Sequence, residues 1–167
     1  GPSEARSAWF NAPVPTGSFT SNFTYTATGS GALADGVALV LQNDPSGTAA
    51  LGLDGNFLGY AGLDPSVAYE IDVYSPGGGT NFVANGVTGT YNPTGSVNLA
   101  SGDPINVTLM YDAAAGTLTE SLVDAAHTGL TYSHTYTGIN LAADLGASTA
   151  YLGFTGADGG LTSTQTI

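Results

Sequence analysis

The chain has 167 residues, enough for one domain with a substantial hydrophobic core. One Arg, no Lys and thirteen acidic residues give a net charge of −12, so the protein cannot neutralise the phosphates of nucleic acid or an anionic membrane surface. Without Cys it has neither disulfides nor thiolate metal sites. Because only 8% of residues are charged, Thr, Ser, Asn and Gly must cover the surface, which is typical of an extracellular protein. No apolar run is long enough to insert into a membrane.

Alternation of apolar and polar residues predicts β-strands along most of the chain, with Gly, Asp, Asn or Pro between them. Asp112–Gly116 separates two alternating arms, which predicts a long hairpin over residues 105–124. Residues 141–146 ("LAADLG") predict the one helical turn. Roughly ten or eleven strands at this spacing favour an all-β antiparallel sandwich or jelly roll. The other clear strand stretches are, in order, "SFTSNFTYTATG", "DGVALVLQND", "VAYEIDVY", "GLTYSHTYTG" and "STAYLGFTGA".

The chain divides into a short leading segment and one domain. The opening Gly-Pro-Ser resembles the remnant of a purification tag, so we expect residues 1–8 to be a tag remnant or an N-terminal extension. We expect residues 9–167 to form a single domain, because the sequence contains no linker and no internal repeat.

Six stretches resemble the L-type lectins, which include legume seed lectins, the cargo-receptor lectins of the secretory pathway and bacterial relatives. Each motif is weak alone, but all six follow the family's order over nearly the whole chain. The resemblance implies a concanavalin A-like jelly-roll sandwich with a carbohydrate site at one rim. The stretches are "SAWFNAPV" with "SFTSNFTY", "ALADGVALVLQND", "GNFLGY", "VAYEIDVY", "GDPINVTLMYD" and "AYLGFTGADGGLTSTQTI".

The resemblance also concerns the ends of the chain. The family has an additional strand before the "SAWF" segment and a longer strand after the "QTI" segment, and this sequence is short of both. Three alternatives follow: the sequence is trimmed, the sandwich lacks the family's terminal strands and exposes two sheet edges, or another chain completes the sheet. Unprotected sheet edges pair readily with other chains, so self-association is a second possible interaction besides glycan binding.

The candidate carbohydrate site follows from the same resemblance. In the family, the Asp of the Ala-Asp-Gly stretch follows a cis peptide bond and accepts hydrogen bonds from two sugar hydroxyls, which places this role on Asp35. A carboxylate on a rigid loop makes strong, charge-assisted hydrogen bonds with a diol. The alternative is that Asp35 and the neighbouring glycines only form turns. The full candidate set is Asp35, Gly55, Asn56, Asn81, Gly159, Gly160 and Leu161.

Three aromatic residues are candidates for stacking against a pyranose ring. They are Tyr60, Tyr74 and Phe82. Aromatic side chains in a β-sandwich more often belong to the core, and this alternative stays open from the sequence.

The strand "VAYEIDVY" carries the family's first metal ligands. In these lectins the Glu and the first Asp bind a transition metal, that Asp also binds calcium, and a backbone carbonyl two residues later completes the calcium site. The resemblance assigns these roles to Glu70, Asp72 and Tyr74. The family's further Asn, Asp and His ligands are not found, since Pro76 and Phe82 occupy two of their positions.

We therefore expect the metal site to be degenerate and the protein to bind no cofactor. Calcium requires six to eight oxygen ligands, and a transition-metal site without its His is weaker still. Calcium is the alternative, with Asn81 or Asn85 as a replacement ligand. Without an ion, the backbone amides of Gly77–Gly79 are candidates to hydrogen-bond the two carboxylates directly.

A second resemblance, to glycoside hydrolases, raises the possibility of an enzymatic function. "EIDVYS" is similar to the Glu-x-Asp-x-x-Glu strand of a family of sandwich glycoside hydrolases, which use two carboxylates flanking the scissile bond. The second Glu is replaced by Ser75, and the other glutamates, Glu4 and Glu120, lie in distant segments. We therefore expect no catalytic activity.

The sequence favours an extracellular or cell-surface module that binds glycan through Asp35 and its surrounding loops. The alternative is a structural or self-assembling surface module, such as a subunit of an adhesin, sheath or filament, with a vestigial sugar site. The charge makes nucleic acid and anionic membrane surfaces poor partners, and the lack of a long apolar run predicts no membrane insertion.

Overall fold

The computed structural model describes residues 2–74 and 77–167, and eleven strands within these ranges contain a little under half of the chain. The one α-helix, α1, is a single turn, and two 3-10 turns span Gly47–Ala49 and Gly55–Phe57. The element bounds are β1 Ala5–Trp9, β2 Val14–Pro15, β3 Phe19–Thr28, β4 Gly36–Gln42, β5 Ser66–Asp72, β6 Gly79–Ala84, β7 Ile105–Asp112, β8 Thr117–Asp124, β9 Thr131–Thr137, α1 Leu141–Asp144, β10 Thr149–Ala157 and β11 Thr164–Thr166.

The strands form two antiparallel sheets that pack face to face. The six-stranded sheet has the order β1-β10-β4-β5-β6, with β2 paired to the other end of β10. The five-stranded sheet has the order β11-β3-β7-β8-β9. This confirms the predicted all-β sandwich, and every strand pair in it is antiparallel.

The main core lies between the two sheets. Alternate residues of β7 and β8 point inward, as the period of two in their sequence predicts. By contrast, all seven residues of β4 and all seven of β5 are buried. Their inner faces contact the five-stranded sheet, and their outer faces pack under Ala50, Tyr60 and Leu63 from the segment that joins the two strands.

Local turn chemistry forms the two elements that the sequence predicted most directly. In the β7–β8 hairpin, Asp112 Oδ1 accepts hydrogen bonds from the amides of Ala114 and Ala115 at 2.9 and 3.1 Å. Gly116 closes the turn with φ of 63°. Helix α1 begins at Asn140, whose side chain accepts a hydrogen bond from the Ala143 amide.

The edges of the sheets differ from one another. β1 pairs with β10 from Ala5↔Ala157 to Trp9↔Gly153, so residues 5–8 belong to the sheet and the expected boundary at residue 9 falls inside a strand. On the five-stranded sheet, β11 pairs only with residues 26–28 of β3. Within the described residues, 19–25 of β3 pair with β7 alone and leave their other side open. No helix in the described part of the chain is long and apolar enough to cross a membrane.

One carboxyl group is enclosed between the sheets. Glu120 of β8 is fully buried, and three hydroxyl groups donate hydrogen bonds to it. Thr80 and Tyr136 donate to Oε1 at 2.8 and 3.0 Å, and Tyr69 donates to Oε2. Since Tyr69 and Thr80 belong to the six-stranded sheet, this group links the two layers of the sandwich.

Candidate carbohydrate-binding site

Three loops meet at one end of the six-stranded sheet. Because neighbouring strands are antiparallel, the start of β4 lies beside the ends of β5 and β10, as the pairs Gly36↔Asp72 and Gly36↔Ala157 show. The loop before β4 carries Asp35 and the loop after β10 carries Gly159. The 3-10 turn at Gly55–Phe57 joins them, since the Gly55 amide donates a hydrogen bond to the Asp158 carbonyl at 3.1 Å.

The backbone on both sides of Asp35 is tied to the sheet. The Asp35 amide donates to the Ala157 carbonyl at 3.1 Å, and the Asp35 carbonyl accepts from the Val73 amide at 2.8 Å. The Ala34–Asp35 peptide bond is cis, and the Ser163 hydroxyl donates to the Ala34 carbonyl at 2.7 Å. These contacts give the Asp35 carboxyl group a fixed position at the rim of the sandwich.

The Asp35 carboxyl group is buried and incompletely hydrogen-bonded. The residue is 6% exposed, and Oδ2 has no hydrogen-bond partner within the described part of the chain. Burial raises the pKa of Asp35, the neighbouring charges of Asp158 and Asp54 raise it further, and contact with the backbone amide of Gly159 opposes the shift. An acceptor held in this way offers an unused hydrogen-bonding position to a ligand.

Glycines allow the flanking loops to approach this carboxyl group closely. A Cβ atom on Gly159 would lie 3.2 Å from Asp35 Oδ2 and 3.5 Å from the Gly55 Cα atom. Gly55 has φ of 64°, which a larger residue rarely adopts. The structure therefore brings Asp35, Gly55 and Gly159 together.

The other predicted site residues lie at different distances from this centre. Asn56 is exposed and lines a cavity of about 190 Å³ next to Asp72. Gly160 and Leu161 are exposed on the outer part of their loop, and Leu161 is 40% accessible. Asn81 pairs with Glu70 across β5 and β6, and its side-chain amide packs against Gly89, so it is placed with Glu70 rather than with Asp35.

Of the three aromatic candidates, Tyr74 alone is exposed in the neighbourhood of the site. It is 46% accessible and lines the same cavity as Asn56. Tyr60 is fully buried, where its hydroxyl accepts hydrogen bonds from the Ser66 hydroxyl and the Gly86 amide. Phe82 packs against the main core beside Tyr136, with ring centroids 6.1 Å apart. The prediction that Tyr60 or Phe82 stacks against a sugar is therefore wrong, because both rings pack in the interior of the domain.

Glu70 and Asp72 lie side by side on the outer face of β5, as the period of two predicts. They are 0% and 4% exposed. Burial raises the pKa of Glu70 to about 8, and the Asp72 charge adds to the shift. Burial likewise raises the pKa of Asp72 to about 6, against a hydrogen bond of 2.7 Å from the Tyr74 amide to its Oδ1.

The proposed hydrogen bonds from the Gly77–Gly79 amides to Glu70 are not formed. Both Glu70 carboxylate oxygens have no hydrogen-bond partner among the described residues, and the amide that reaches Asp72 belongs to Tyr74. The glycine loop follows another path, in which Gly78 packs against the Asp72 backbone and Gly79 against the Asn92 carbonyl. Pro76, which the sequence places at the position of one of the family's ligands, lies outside the described residues.

The donor atoms at the end of β5 do not fit the pair of metal ions that the lectin resemblance implies. In the part of the chain that the structure describes, three acidic or His side chains converge in one place, at Asp103, Asp124 and His127, away from β5. The cavity beside Asp72 has no second carboxylate in its lining, and Glu70 does not border it. Two carboxylates and one backbone carbonyl fall well short of the six to eight oxygens that calcium requires.

Two features of the structure were not predicted from the sequence. Tyr91 and Thr88 line the cavity next to Asp72, in a loop that follows β6. The group of Asp103, Asp124 and His127 was also missed, although it is already internally bonded, with Asp124 Oδ1 accepting the amides of Ala126 and His127 at 2.9 Å. Neither of these two features belongs to a sequence motif from which it could have been predicted.

The family model for the legume lectin domain matches residues 7–167. The chain belongs to the legume lectin family. Among solved structures, it is similar to the Bauhinia forficata lectin in complex with GalNAc, with a TM-score of 0.81 and 20% identity over 98% of this chain and 76% of that one. It is also similar to arcelin-5, a lectin-like defence protein from Phaseolus vulgaris, with a TM-score of 0.78 and 19% identity over 99% and 76%.

A third solved structure extends the comparison to a further ligand. The basic winged bean lectin with Tn-antigen has a TM-score of 0.78 and 23% identity over 98% of this lectin domain and 77% of that chain. At these identities the neighbours establish the concanavalin A-like fold of the domain.

Proposed function

We propose that this lectin domain binds the non-reducing end of a glycan at the rim where β4, β5 and β10 meet. The observation that carries the proposal is the Asp35 carboxyl group, which is buried, held by its backbone on both sides and has no hydrogen-bond partner for Oδ2 among the described residues. Two sugar hydroxyls would donate hydrogen bonds to this carboxylate. The charge on the acceptor makes these bonds stronger than those between neutral groups.

The surrounding loops supply the rest of the recognition surface. Gly55 and Gly159 let the backbone approach the sugar, with the exposed Gly160 and Leu161 forming the outer wall. Tyr74 and Asn56 border the adjoining cavity and are placed to contact a pyranose ring or the next sugar. Because similar structures bind GalNAc and Tn-antigen, galactose-type hexopyranosides are the first ligands to test.

Binding without hydrolysis and without a metal ion belongs to the same proposal. Glycoside hydrolysis requires two carboxyl groups in contact with the substrate. Of the glutamates considered for this role, Glu70 is fully enclosed and Glu120 lies between the sheets, so neither of these two reaches the rim. The uncharged polar surface supports a role outside the cell or on its surface.

Replacement of the Asp35 carboxylate by an amide tests the proposal. Wild type, Asp35→Asn and the control Asp112→Asn, in the distant hairpin turn, are compared on a glycan array and by calorimetry with GalNAc and methyl galactoside. Hydrogen bonds to a charged group contribute about 1.5–3 kcal/mol, so Asp35→Asn should weaken binding by about tenfold to 100-fold while Asp112→Asn binds as wild type. Wild-type affinity in Asp35→Asn would contradict the proposed site.

A structural, self-assembling module is the second candidate, and the open side of β3 favours it. Residues 19–25 present unpaired backbone groups over seven positions, a template for another strand. Sedimentation at increasing concentration measures the association. If the edge mediates it, Thr24→Lys on β3 should abolish assembly while Thr119→Lys, on the doubly paired β8, should not.

A further inference from the structure

The loop between β6 and β7 places one tyrosine against the carboxylates of β5. Asn92 forms a β-bridge with Thr80, with amide–carbonyl hydrogen bonds of 2.8 and 3.0 Å. At the other end of the loop, the Asn85 amide donates to the Ser66 carbonyl at 2.8 Å. In between, Gly89 packs closely on the side chain of Asn81, so that a Cβ atom on Gly89 would lie 2.4 Å from Asn81 Nδ2. The loop is therefore anchored on both sides of Tyr91.

Three buried polar atoms face one another under this loop. They are both carboxylate oxygens of Glu70 and the hydroxyl oxygen of Tyr91, and none has a hydrogen bond of regular geometry within the described part of the chain. Tyr91 lies beside Asp72, since both line the same cavity, and its hydroxyl interacts with both carboxyl groups and lowers the pKa of each against the effect of burial. Unsatisfied buried groups of this kind cost free energy, so each needs its partner close by.

The physical chemistry of Tyr91 suits it to donate a hydrogen bond here. Burial, and then the charges of Glu70 and Asp72, raise the pKa of Tyr91 well above its usual value, so the phenol keeps its proton. An ionised carboxylate offers only acceptors, and a protonated carboxyl group keeps its carbonyl oxygen as an acceptor, so the phenolic O–H has an oxygen to donate to in either state.

We infer that the Tyr91 hydroxyl takes the place of a metal ion at Glu70 and Asp72, so that this end of β5 is held together without a bound cation. A metal ion would compensate two buried carboxylates by its charge. Tyr91 compensates them by donating a hydrogen bond and by excluding water. The inference concerns the stability of the domain and does not depend on glycan binding.

The first experiment measures the thermal midpoint of the wild-type chain with EDTA, with millimolar CaCl₂ and with millimolar MnCl₂. A cation bound at one hundred times its Kd would raise the midpoint by several degrees for a domain of this size. We expect the three midpoints to agree within about 1 °C of one another. A rise of several degrees in calcium or manganese would show a working ion site and overturn the inference.

The second experiment removes the hydroxyl in Tyr91→Phe, with Tyr151→Phe as the matched control. Tyr151 is a partly exposed strand residue on β10, so its loss should leave the midpoint unchanged. Loss of a phenolic donor beside two buried carboxyl groups should lower the midpoint by about 2–8 °C. A midpoint equal to wild type in Tyr91→Phe would refute the role of the hydroxyl.

A double-mutant cycle shows whether the effect runs through Glu70. In the Glu70→Gln background the carboxyl group is already replaced by an amide that carries its own donor. We therefore expect Tyr91→Phe to lower the midpoint there by less than half as much as in wild type. Equal losses in both backgrounds would mean that Tyr91 acts by packing alone.

Discussion

Two glutamates of this domain are fully buried, and they differ in the hydrogen bonds that their surroundings provide. Glu120 lies between the sheets with three hydroxyl donors from Tyr69, Thr80 and Tyr136. Glu70 lies under a surface loop, and neither of its carboxylate oxygens has a regular hydrogen bond to the described residues. Burial raises the pKa of both, but in Glu120 the hydrogen bonds of all three hydroxyls oppose the shift.

The difference separates a carboxyl group that links the two sheets from one that lies next to the proposed binding site. A saturated polar group inside a core fixes the arrangement of the elements that contribute to it. Glu120 does so for two strands of one sheet and two of the other. Glu70 interacts instead with Asp72, which in turn interacts with Asp35 of the proposed binding site, and locally unfavourable arrangements are common at functional sites.

The largest expected effect follows from removal of Glu120. Glu120→Ala leaves three buried hydroxyls without their acceptor and opens a cavity between the sheets. The free energy of unfolding should fall by about 3–5 kcal/mol, measured by urea denaturation. Glu120→Gln keeps the shape and one acceptor, and it should lose less than half of that. A loss below about 1 kcal/mol in Glu120→Ala would contradict the role of Glu120 in stabilising the two sheets.

The second effect is a dependence of stability on pH that Glu70 dominates between pH 6 and 8. The pKa of Glu70 rises from 4.5 to about 8 on folding, and that of Asp72 from 3.8 to about 6. Between these limits the folded protein holds protons that the unfolded chain has released. The stability that these two groups contribute is therefore greatest at acidic pH and falls as pH rises, by a total on the order of a few kcal/mol.

Glu70→Gln isolates the contribution of this residue. The variant should show a shallower decline than wild type between pH 6 and 8, while the decline below pH 6 remains because Asp72 still titrates. Urea denaturation at intervals of pH gives both slopes. Identical slopes in the two proteins would mean that Glu70 is not the group whose proton is retained.

The sequence predicted those parts of the fold that depend on local pattern. The β7–β8 hairpin and helix α1 were found because Asp112, Gly116 and Asn140 act within a few residues of their own position. The start of β1 at Ala5 was missed, since it is fixed by pairing with β10 at the far end of the chain. Interaction over such a separation leaves no periodic signal in a short segment.

The same limit explains the outcome at the candidate site. Asp35, Gly55 and Gly159 could be grouped because three family motifs each carry one of them, and the structure places them together. Tyr91 could not, because its position over Glu70 depends on how an irregular loop returns across β5 and β6. The glycine run after β5 suggested amide donors, but the path that its backbone takes is decided by packing against Asp72 and Asn92.

The smallest effect compares the tyrosines that face the two carboxylates. Tyr136→Phe removes one of three donors to Glu120 and leaves the hydroxyls of Tyr69 and Thr80 in place. The loss in unfolding free energy should be about 1 kcal/mol, the usual net value of one hydrogen bond, and should show little dependence on Glu70. Tyr91→Phe removes a donor from Glu70, whose carboxyl oxygens have no regular hydrogen bond to the described residues. If Tyr136→Phe is as costly as Tyr91→Phe in the same urea titration, the three donors of Glu120 act as one cooperative unit, and the contrast between the two glutamates lies in geometry rather than in the number of hydrogen bonds.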